Sequence, residues 1–176
     1  MKLGYTYFSH LDTYCNMTTF ATADLCDEHS SKLSIVTPMF MAFGGRGAFC
    51  GQIRTLKVFE DNALVRQTLS TPGNGDVLVV DGGGSMRCAL VGDQLALLAQ
   101  QNQWSGVIVY GCVRDSVAMK TMDVGIRALD THPLRSMRKG IGDLDIPVVF
   151  GGVKFSPGHW LYADADGIVV SVEALV

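Results

Sequence analysis

The chain has 176 residues, of which 48% are hydrophobic and 18% charged, and its formal net charge at pH 7 is −3. This length and composition suit one globular domain with a core of its own and exclude a disordered chain. The acidic balance argues against direct nucleic-acid binding, and no apolar run approaches the ~20 residues that would cross a bilayer.

The first sixteen residues are interpreted as a tail that precedes a single domain over residues 17–176. This tail has no long apolar segment of the kind found in signal peptides, so we expect a cytoplasmic protein. The five cysteines form no C-x-x-C pair and predict neither a zinc site nor a disulfide framework. We expect them to be reduced thiols that pack as small hydrophobes.

The first half of the domain predicts two short helices separated by a strand region. Its elements are a helix over Thr22–Glu28, a turn at Gly44–Gly47, one or two strands over Phe49–Phe59 broken near Gly51, and a helix over Asn62–Leu69. Thr22 or Asp24 is a suitable cap for the first helix, and Asp61 for the second, because these side chains can accept hydrogen bonds from a helix N-terminus.

The middle of the chain shows the clearest pattern, a strand, a helix and a second strand. The strands are continuous apolar runs, which is typical of strands covered on both faces. The helix carries its Leu and Ala residues on one face. These elements are a strand over Asp76–Asp81, a helix over Asp93–Asn102 and a strand over Gly106–Tyr110. The pattern predicts a mixed α/β domain.

The last third predicts a short helix, two more strands and a β-hairpin. An Asp-Gly pair favours the hairpin because it tolerates the positive φ of a tight turn. The predicted elements are a helix over Asp115–Met122, strands over Ile126–Leu129 and Pro147–Phe150, and a hairpin of Trp160–Ala163 and Ile168–Ser171 around the turn Ala165–Gly167.

The strand–helix–strand unit should bring two polar segments to one edge of the sheet. In a parallel crossover the helix begins near the carboxyl ends of both strands, where open α/β folds bind ligands. Gly92–Leu95 should therefore lie close to Gly111–Asp115. The N–H groups at a helix start suit a small anion such as a carboxylate, and Arg114 can bind a carboxylate or stabilise an oxyanion.

Two carboxylates at this edge suggest a metal site, although a structural explanation is equally open. Asp115 is a hard oxygen ligand for Mg²⁺ or Mn²⁺, which often keep several waters. Asp93 could orient a water molecule. In the structural alternative, Asp93 caps its own helix, and Arg114 and Asp115 form a surface pair.

Two other motifs are weaker. The run Gly82–Ser85 resembles a phosphate cradle but matches neither G-x-x-x-x-G-K-[ST] nor G-x-G-x-x-G, so we expect these glycines to let the backbone pass near the same edge. The motif Asp164-x-Asp166-Gly167 begins like an EF-hand loop. Leu175 stands where that loop needs Glu, so a turn is favoured.

Eight segments together resemble one known family. They are Asp24–Asp27, Phe43–Arg46, Phe59–Asn62, Val79–Ser85, Gly92-Asp93, Val109–Asp115, Gly140–Gly142 and Leu161–Asp164. In these segments the chain resembles the RraA-like family, which includes class II 4-hydroxy-4-methyl-2-oxoglutarate aldolases and the regulator of ribonuclease E activity A. The resemblance extends from about Ala23 to Glu173. It implies a single-domain swivelling β/β/α fold, in which a βαβ unit carries the site, and a homotrimer.

The resemblance also implies roles for site residues through the motif D-x20-R-D, which catalytic members are expected to keep. Here it consists of Asp93, twenty residues, and then Arg114 and Asp115. By resemblance, Asp115 binds a divalent metal cation, Mg²⁺ or Mn²⁺. Asp93 and Arg114 are catalytic, because Asp93 positions a proton-carrying water and Arg114 stabilises an enolate. The substrate-binding residues that it implies are Gly92, Asp93, Gln94, Leu95 and Arg114.

The activity implied by the resemblance is that of a lyase acting on small 2-keto acids. It would cleave 4-hydroxy-4-methyl-2-oxoglutarate to two pyruvates and decarboxylate oxaloacetate, through a pyruvate enolate stabilised by the metal and Arg114. Longer members end in an extra helix that supplies an acidic residue to a neighbouring subunit. Because this sequence ends at Val176, we expect decarboxylation to be less affected than aldol cleavage.

The alternative function is a regulator that binds and inhibits ribonuclease E without catalysis. An acidic chain suits this role because it can dock on the basic RNA-binding surface of that enzyme. A methyltransferase activity has also been attached to the family, but no S-adenosylmethionine-binding glycine motif is recognisable in this sequence.

Overall fold

The computed structural model describes residues 19–176, so the tail predicted for residues 1–16 lies outside the described residues. None of the helices in the described range is long and apolar enough to cross a membrane. The elements are α1 (Thr22–His29), a 3₁₀ turn (Ser30–Lys32), β1 (Leu33–Ile35), β2 (Met41–Ala42), β3 (Phe49–Val58), α2 (Ala63–Leu69), β4 (Val77–Asp81), β5 (Ala89–Val91), α3 (Asp93–Gln101), β6 (Gly106–Val113), α4 (Ser116–Met119), β7 (Gly125–Thr131), β8 (Gly142–Leu144), β9 (Val148–Phe150), β10 (Val153–Phe155), β11 (Trp160–Ala163) and β12 (Ile168–Ser171).

One large mixed sheet organises the domain. Its strand order is β1-β12-β11-β3-β4-β6-β7-β2, with β5 paired to β6 and β8 paired to β3. The four central strands β3, β4, β6 and β7 run parallel, and the strands toward both edges pair antiparallel. Strands β9 and β10 form a separate antiparallel pair. The mixed α/β prediction is therefore confirmed.

The central strands are buried on both faces. Along β4, Leu78 and Val80 belong to the core under α2 and α3. Val77 and Val79 belong to a second core, which also contains four apolar side chains of β9 and β10. All four side chains are fully buried. Strand β4 is apolar at successive positions because a hydrophobic core covers each of its faces, as the sequence predicts.

The predicted strand–helix–strand unit is present. Strands β4 and β6 pair in parallel, from Val77 opposite Gly106 to Asp81 opposite Tyr110. Helix α3 lies between them in sequence and contributes three buried side chains to the first core. Strand β6 continues to Val113, three residues beyond its predicted end, so that the next residues leave the sheet directly at its carboxyl edge.

Several boundaries differ from the predictions. Strand β3 is unbroken, because Gly51 provides space rather than a break: a Cβ there would lie 2.1 Å from the carbonyl oxygen of Gly75. Helix α4 is a single turn, much shorter than the predicted Asp115–Met122. Strands β1, β2, β5, β8 and β10 have only two or three residues, which is too short for a recognisable period. The hairpin of β11 and β12 matches its predicted residues.

Helix α1 begins where predicted, but its cap comes from a distant residue. Asp164 accepts hydrogen bonds from the N–H of Thr22 at 2.6 Å and from its Oγ1 at 2.7 Å. Neither Thr22 nor Asp24 caps the helix, so those cap predictions are wrong. Asp164 Oδ1 also accepts the N–H groups of Asp166 and Gly167, at 2.9 and 3.3 Å. The turn interpretation of this Asp-x-Asp-Gly motif is confirmed.

The cysteine prediction is met in part. Cys26, Cys88 and Cys112 are free thiols, and the latter two are buried. Burial raises the pKa of both buried thiols, which makes them poor nucleophiles.

Candidate active site

A cleft lies at the start of α3, beside the carboxyl end of β6. Five of the predicted site residues line it, namely Gly92, Asp93, Gln94, Leu95 and Arg114. The sixth, Asp115, lies next to the cleft, because a Cβ added to Gly92 would be 2.7 Å from Asp115 Oδ2. The structure therefore brings the two predicted segments together, while the roles of these residues stay predictions.

Close approach explains why glycine precedes α3. The φ of Gly92 is −140°, which other residues can adopt, so space is the constraint there. An added Cβ would also lie 3.1 Å from Arg114 Cγ. The N–H of Arg114 donates to the carbonyl of Val91 at 2.9 Å, which ties the end of β6 to the end of β5. A side chain at position 92 would displace Arg114 or Asp115.

The first turn of α3 borders the cleft, and three of its main-chain N–H groups donate hydrogen bonds within that turn. Leu95 and Ala96 donate to the carbonyl of Gly92, both at 3.0 Å. Asp93 Oδ1 accepts the N–H of Gln94 at 2.7 Å, whereas its Oδ2 accepts no hydrogen bond from residues 19–176. Asp93 thus engages its own helix turn and keeps one carboxylate oxygen for a ligand or water.

Arg114 and Asp115 form a half-exposed ion pair. Arg114 Nε lies 3.2 Å from Asp115 Oδ2, and the two side chains are 38% and 39% exposed. An ion pair with this exposure adds little to folding stability. Asp115 has the left-handed values φ 57° and ψ 34°. A non-glycine residue in that region is strained, and such strain is concentrated at functional sites.

The donor atoms at this edge fit a divalent cation that retains most of its water. Within residues 19–176, no group of three or more His, Cys, Asp or Glu side chains is arranged to hold a metal. A zinc site would need three or four such ligands. Mg²⁺ and similar ions commonly bind through one or two carboxylates. Asp115, exposed and beside the cleft, is suited to that kind of binding.

Four polar residues that the sequence patterns do not predict also line the cleft: Asn62, Arg66, Arg135 and Arg138. Asn62 Nδ2 donates to the carbonyl of Leu90 at 3.1 Å. Arg66 Nη2 donates to Gln94 Oε1 at 3.2 Å. The sequence feature that could have indicated Arg135 and Arg138 is the group of basic residues within residues 135–139 of an acidic chain.

The glycine run after β4 does not line the cleft. The N–H groups of Gly82 and Gly84 both donate to the carbonyl of Tyr110 at 3.1 Å. Gly83 and Gly84 have positive φ and lie against the rings of Phe59 and Tyr110, where a Cβ would be crowded. These glycines make room for aromatic rings where the backbone passes beside Tyr110 of β6, at the expected edge of the sheet, but they do not line the cleft.

The chain matches one protein family and closely related sequences. Residues 22–170 match the RraA-like family, described as Aldolase/RraA. A protein of Aromatoleum aromaticum named "putative 4-hydroxy-4-methyl-2-oxoglutarate aldolase" is 68% identical over 157 residues, which cover 89% of this chain and 99% of the relative.

Two solved structures have the same fold. The RNA-processing inhibitor RraA from Thermus thermophilus is 43% identical with a TM-score of 0.87, and the match covers 90% of this chain and 96% of that one. A Geobacillus kaustophilus protein described as an S-adenosylmethionine: 2-dimethylmenaquinone methyltransferase is 46% identical with a TM-score of 0.86, over 89% and 97% of the two chains. The fold expected from the sequence resemblance is confirmed.

Proposed function

Because the chain belongs to the RraA-like family, we propose that it is a divalent-metal-dependent lyase that cleaves 4-hydroxy-4-methyl-2-oxoglutarate to two pyruvates and decarboxylates oxaloacetate. Relatives named as aldolases support the lyase activity. The observation that carries the proposal is the position of the D-x20-R-D residues. Asp93 and Arg114 line one cleft, and Asp115 lies beside Gly92 at its edge.

The start of α3 and Arg114 would bind the carboxylate next to the keto group of the substrate. The start of α3 carries the positive end of the helix dipole, which attracts an anion. A guanidinium can hold a carboxylate through two parallel hydrogen bonds, which also fixes its orientation. Both groups line the same cleft, so one small acid can contact them together.

Asp115 would hold the cation, Mg²⁺ or Mn²⁺. When bound, the ion supplies Lewis-acid polarisation of the keto group. Asp115 is prepared for this role by its left-handed backbone, which turns the chain sharply out of β6 and leaves the carboxylate next to Gly92.

Arg114 would stabilise the negative charge that develops in the reaction, and Asp93 would position the water that transfers a proton. In the cleavage reaction, the water positioned by Asp93 would take the hydroxyl proton as the adjacent carbon–carbon bond breaks, which gives one pyruvate and the enolate of a second. Loss of CO₂ from oxaloacetate gives the same enolate. Arg114 stabilises the negative enolate oxygen. Asp93 positions, through its unused Oδ2, the water that protonates the enolate carbon.

A pyruvate-release assay tests this function. Purified protein is supplied with each substrate and Mg²⁺ or Mn²⁺, then treated with EDTA, and then reloaded with metal. We expect release with metal, loss after EDTA and recovery on reloading. Release that persists in EDTA contradicts the metal dependence, and no release from either compound contradicts the lyase.

A second candidate function is inhibition of ribonuclease E. The observation that favours it is the 43% identity to the RNA-processing inhibitor RraA. The acidic net charge suits contact with a basic protein surface rather than with RNA. An RNA-cleavage assay with excess protein tests it. If cleavage by ribonuclease E is unchanged, this function is excluded, and retained inhibition by the Asp115→Ala variant would make it independent of the lyase site.

We also infer a cytoplasmic homotrimer without a membrane or nucleic-acid partner. Phe59, Met137 and Ile141 support an assembly, because they are 61%, 62% and 67% exposed and line one shallow depression. Apolar side chains grouped in this way mark interaction surfaces. Light scattering should give three times the mass of the chain, and a monomer at working concentration would contradict the assembly.

A further inference from the structure

The cleft carries more positive charge than one substrate carboxylate requires. Besides Arg114, it is lined by Arg66, Arg135 and Arg138, and Asp93 is the single carboxylate among its described lining residues. The chain as a whole has a net charge of −3. This concentration of guanidinium groups is therefore a local feature of the cleft.

Arg135 and Arg138 have no partner among residues 19–176. Neither side chain makes a hydrogen bond or an ion pair within that range, whereas Arg66 donates to Gln94 and Arg114 contacts Asp115. Both unpaired side chains are exposed at the cleft. Their N–H donors are available to a bound anion without the loss of an existing contact.

The chain that carries these two residues is fixed along one side by β5. We call residues 134–140 the arginine segment. The N–H of Ala89 donates to the carbonyl of Leu134 at 2.7 Å, and the N–H of Ser136 donates back to the carbonyl of Ala89 at 3.1 Å. Ala89 itself lines the cleft. Arg135 therefore leaves a backbone that is paired to the wall of the cleft.

The other side of the arginine segment is bound to the turn before α2. The N–H of Met137 donates to the carbonyl of Glu60 at 2.9 Å, and the N–H of Asn62 donates to the carbonyl of Met137 at 3.1 Å. The buried carboxylate of Asp61 accepts the N–H of Lys139 at 2.6 Å. Because its backbone is hydrogen-bonded on both sides, the segment loses little backbone entropy when Arg138 binds a ligand.

We propose that Arg135 and Arg138 form a second anion subsite, which binds the carboxylate of the substrate remote from its keto group. The inference rests on the proposed function, which places the first carboxylate at the start of α3 and Arg114. A monocarboxylic 2-keto acid uses the first subsite alone. A dicarboxylic one engages both, so the arginine segment selects 2-keto dicarboxylates as the substrate class.

A matched pair of ligands tests the second subsite without turnover. 2-Oxoglutarate and 2-oxopentanoate have the same five-carbon chain and keto group, and only the former has a second carboxylate. Calorimetric titration in the presence of Mg²⁺ measures both affinities. We expect the protein to bind 2-oxoglutarate about tenfold more tightly, since hydrogen bonds to charged groups are strong but these arginines are exposed.

The variants are Arg135→Gln, Arg138→Gln and the double variant, with Lys139→Gln as the matched control. Lys139→Gln removes the same charge from the same segment, but its side chain does not line the cleft. The double variant should lose most of the preference for 2-oxoglutarate and keep its affinity for 2-oxopentanoate, and each single variant should lose about threefold. Lys139→Gln should keep the preference.

The outcomes separate this subsite from the lyase function. No preference in the natural protein, an unchanged preference in the double variant, or an equal loss in Lys139→Gln would each overturn the subsite. A changed mass by light scattering in the single variants would show that the arginines pair with a neighbouring subunit, which also overturns it. A preference that depends on both arginines, with no pyruvate release from either substrate, keeps the subsite and refutes the lyase.

Discussion

Two carboxylates follow strand ends in this fold, Asp164 after β11 and Asp115 after β6, and their surroundings differ. The carboxylate oxygens of Asp164 accept four hydrogen bonds, two from Thr22 and two from its own turn. Within the described residues, the carboxylate of Asp115 has only the contact with Arg114 Nε at 3.2 Å. A carboxylate whose acceptor sites are filled by the chain stabilises the fold, whereas one with free acceptor sites is available to a ligand.

The largest expected effect is the loss of activity when Asp115 is replaced. Asp115→Ala should lower the rate of pyruvate release about 10³-fold, because it removes the proposed cation ligand and with it several kcal/mol of transition-state stabilisation. The melting temperature should fall by only about 2–4 °C, since a half-exposed ion pair adds little stability and alanine at a left-handed position costs about 1 kcal/mol. The control is Asp166→Ala, an exposed carboxylate in the β11–β12 turn, which should keep its activity. Turnover at the natural level in Asp115→Ala would contradict the assignment.

Arg114→Lys should reduce turnover about 10²-fold. Lysine keeps the positive charge but cannot hold a carboxylate or enolate oxygen with two fixed N–H donors. The matched control is Arg46→Lys, since Arg46 forms a similar ion pair with Asp123 on the surface, at 3.0 Å. Steady-state kinetics on oxaloacetate measures both variants. Equal activity in the two would mean that the guanidinium geometry at position 114 is unimportant.

Asp164→Ala should show the opposite pattern from Asp115→Ala. It removes the acceptor for the first N–H of α1 and for two N–H groups of the turn, at a cost of about 2 kcal/mol in the free energy of unfolding. The melting temperature should fall by roughly 4–8 °C. The rate per folded molecule should not change. Asp164→Asn, which keeps one carbonyl oxygen, should be intermediate, and a loss of turnover without a loss of stability would reverse the comparison.

The smallest expected effect is on the pH dependence of stability. Burial alone would raise the pKa of Asp164, but hydrogen bonds from Thr22, Asp166 and Gly167 lower it on balance. As the pH falls, Asp164 is therefore protonated at a higher pH in the unfolded chain than in the folded chain. The stability that its ionised carboxylate contributes is lost as the pH falls from near the ordinary Asp pKa of about 3.9 through the lower pKa of the folded chain. Urea unfolding between pH 6 and 3 should show a shallower acid loss in Asp164→Asn than in Asp166→Asn.

Local patterns predicted the central unit but not the parts joined by distant residues. The β4–α3–β6 unit is predictable because burial on both faces imposes continuous apolar strands. The cap of α1 is not, since Asp164 lies 142 residues from Thr22. The contribution of Arg135 to the cleft is not predictable either. It depends on an isolated bridge to Ala89 that leaves no periodic pattern in the sequence.

The arginine segment also has a consequence for the order in which the protein acquires its cleft. Its partners Glu60 and Ala89 are made long before residue 135 during synthesis, and their pairing with the segment closes loops of many residues. Such long-range closures are slow steps in folding. A ribosome-bound chain from which residue 140 has not yet emerged would contain β4 and α3 but would lack the arginine segment that lines the cleft. Ligand affinity would therefore appear late and abruptly in co-translational folding, after most residues of the parallel strands have been synthesised.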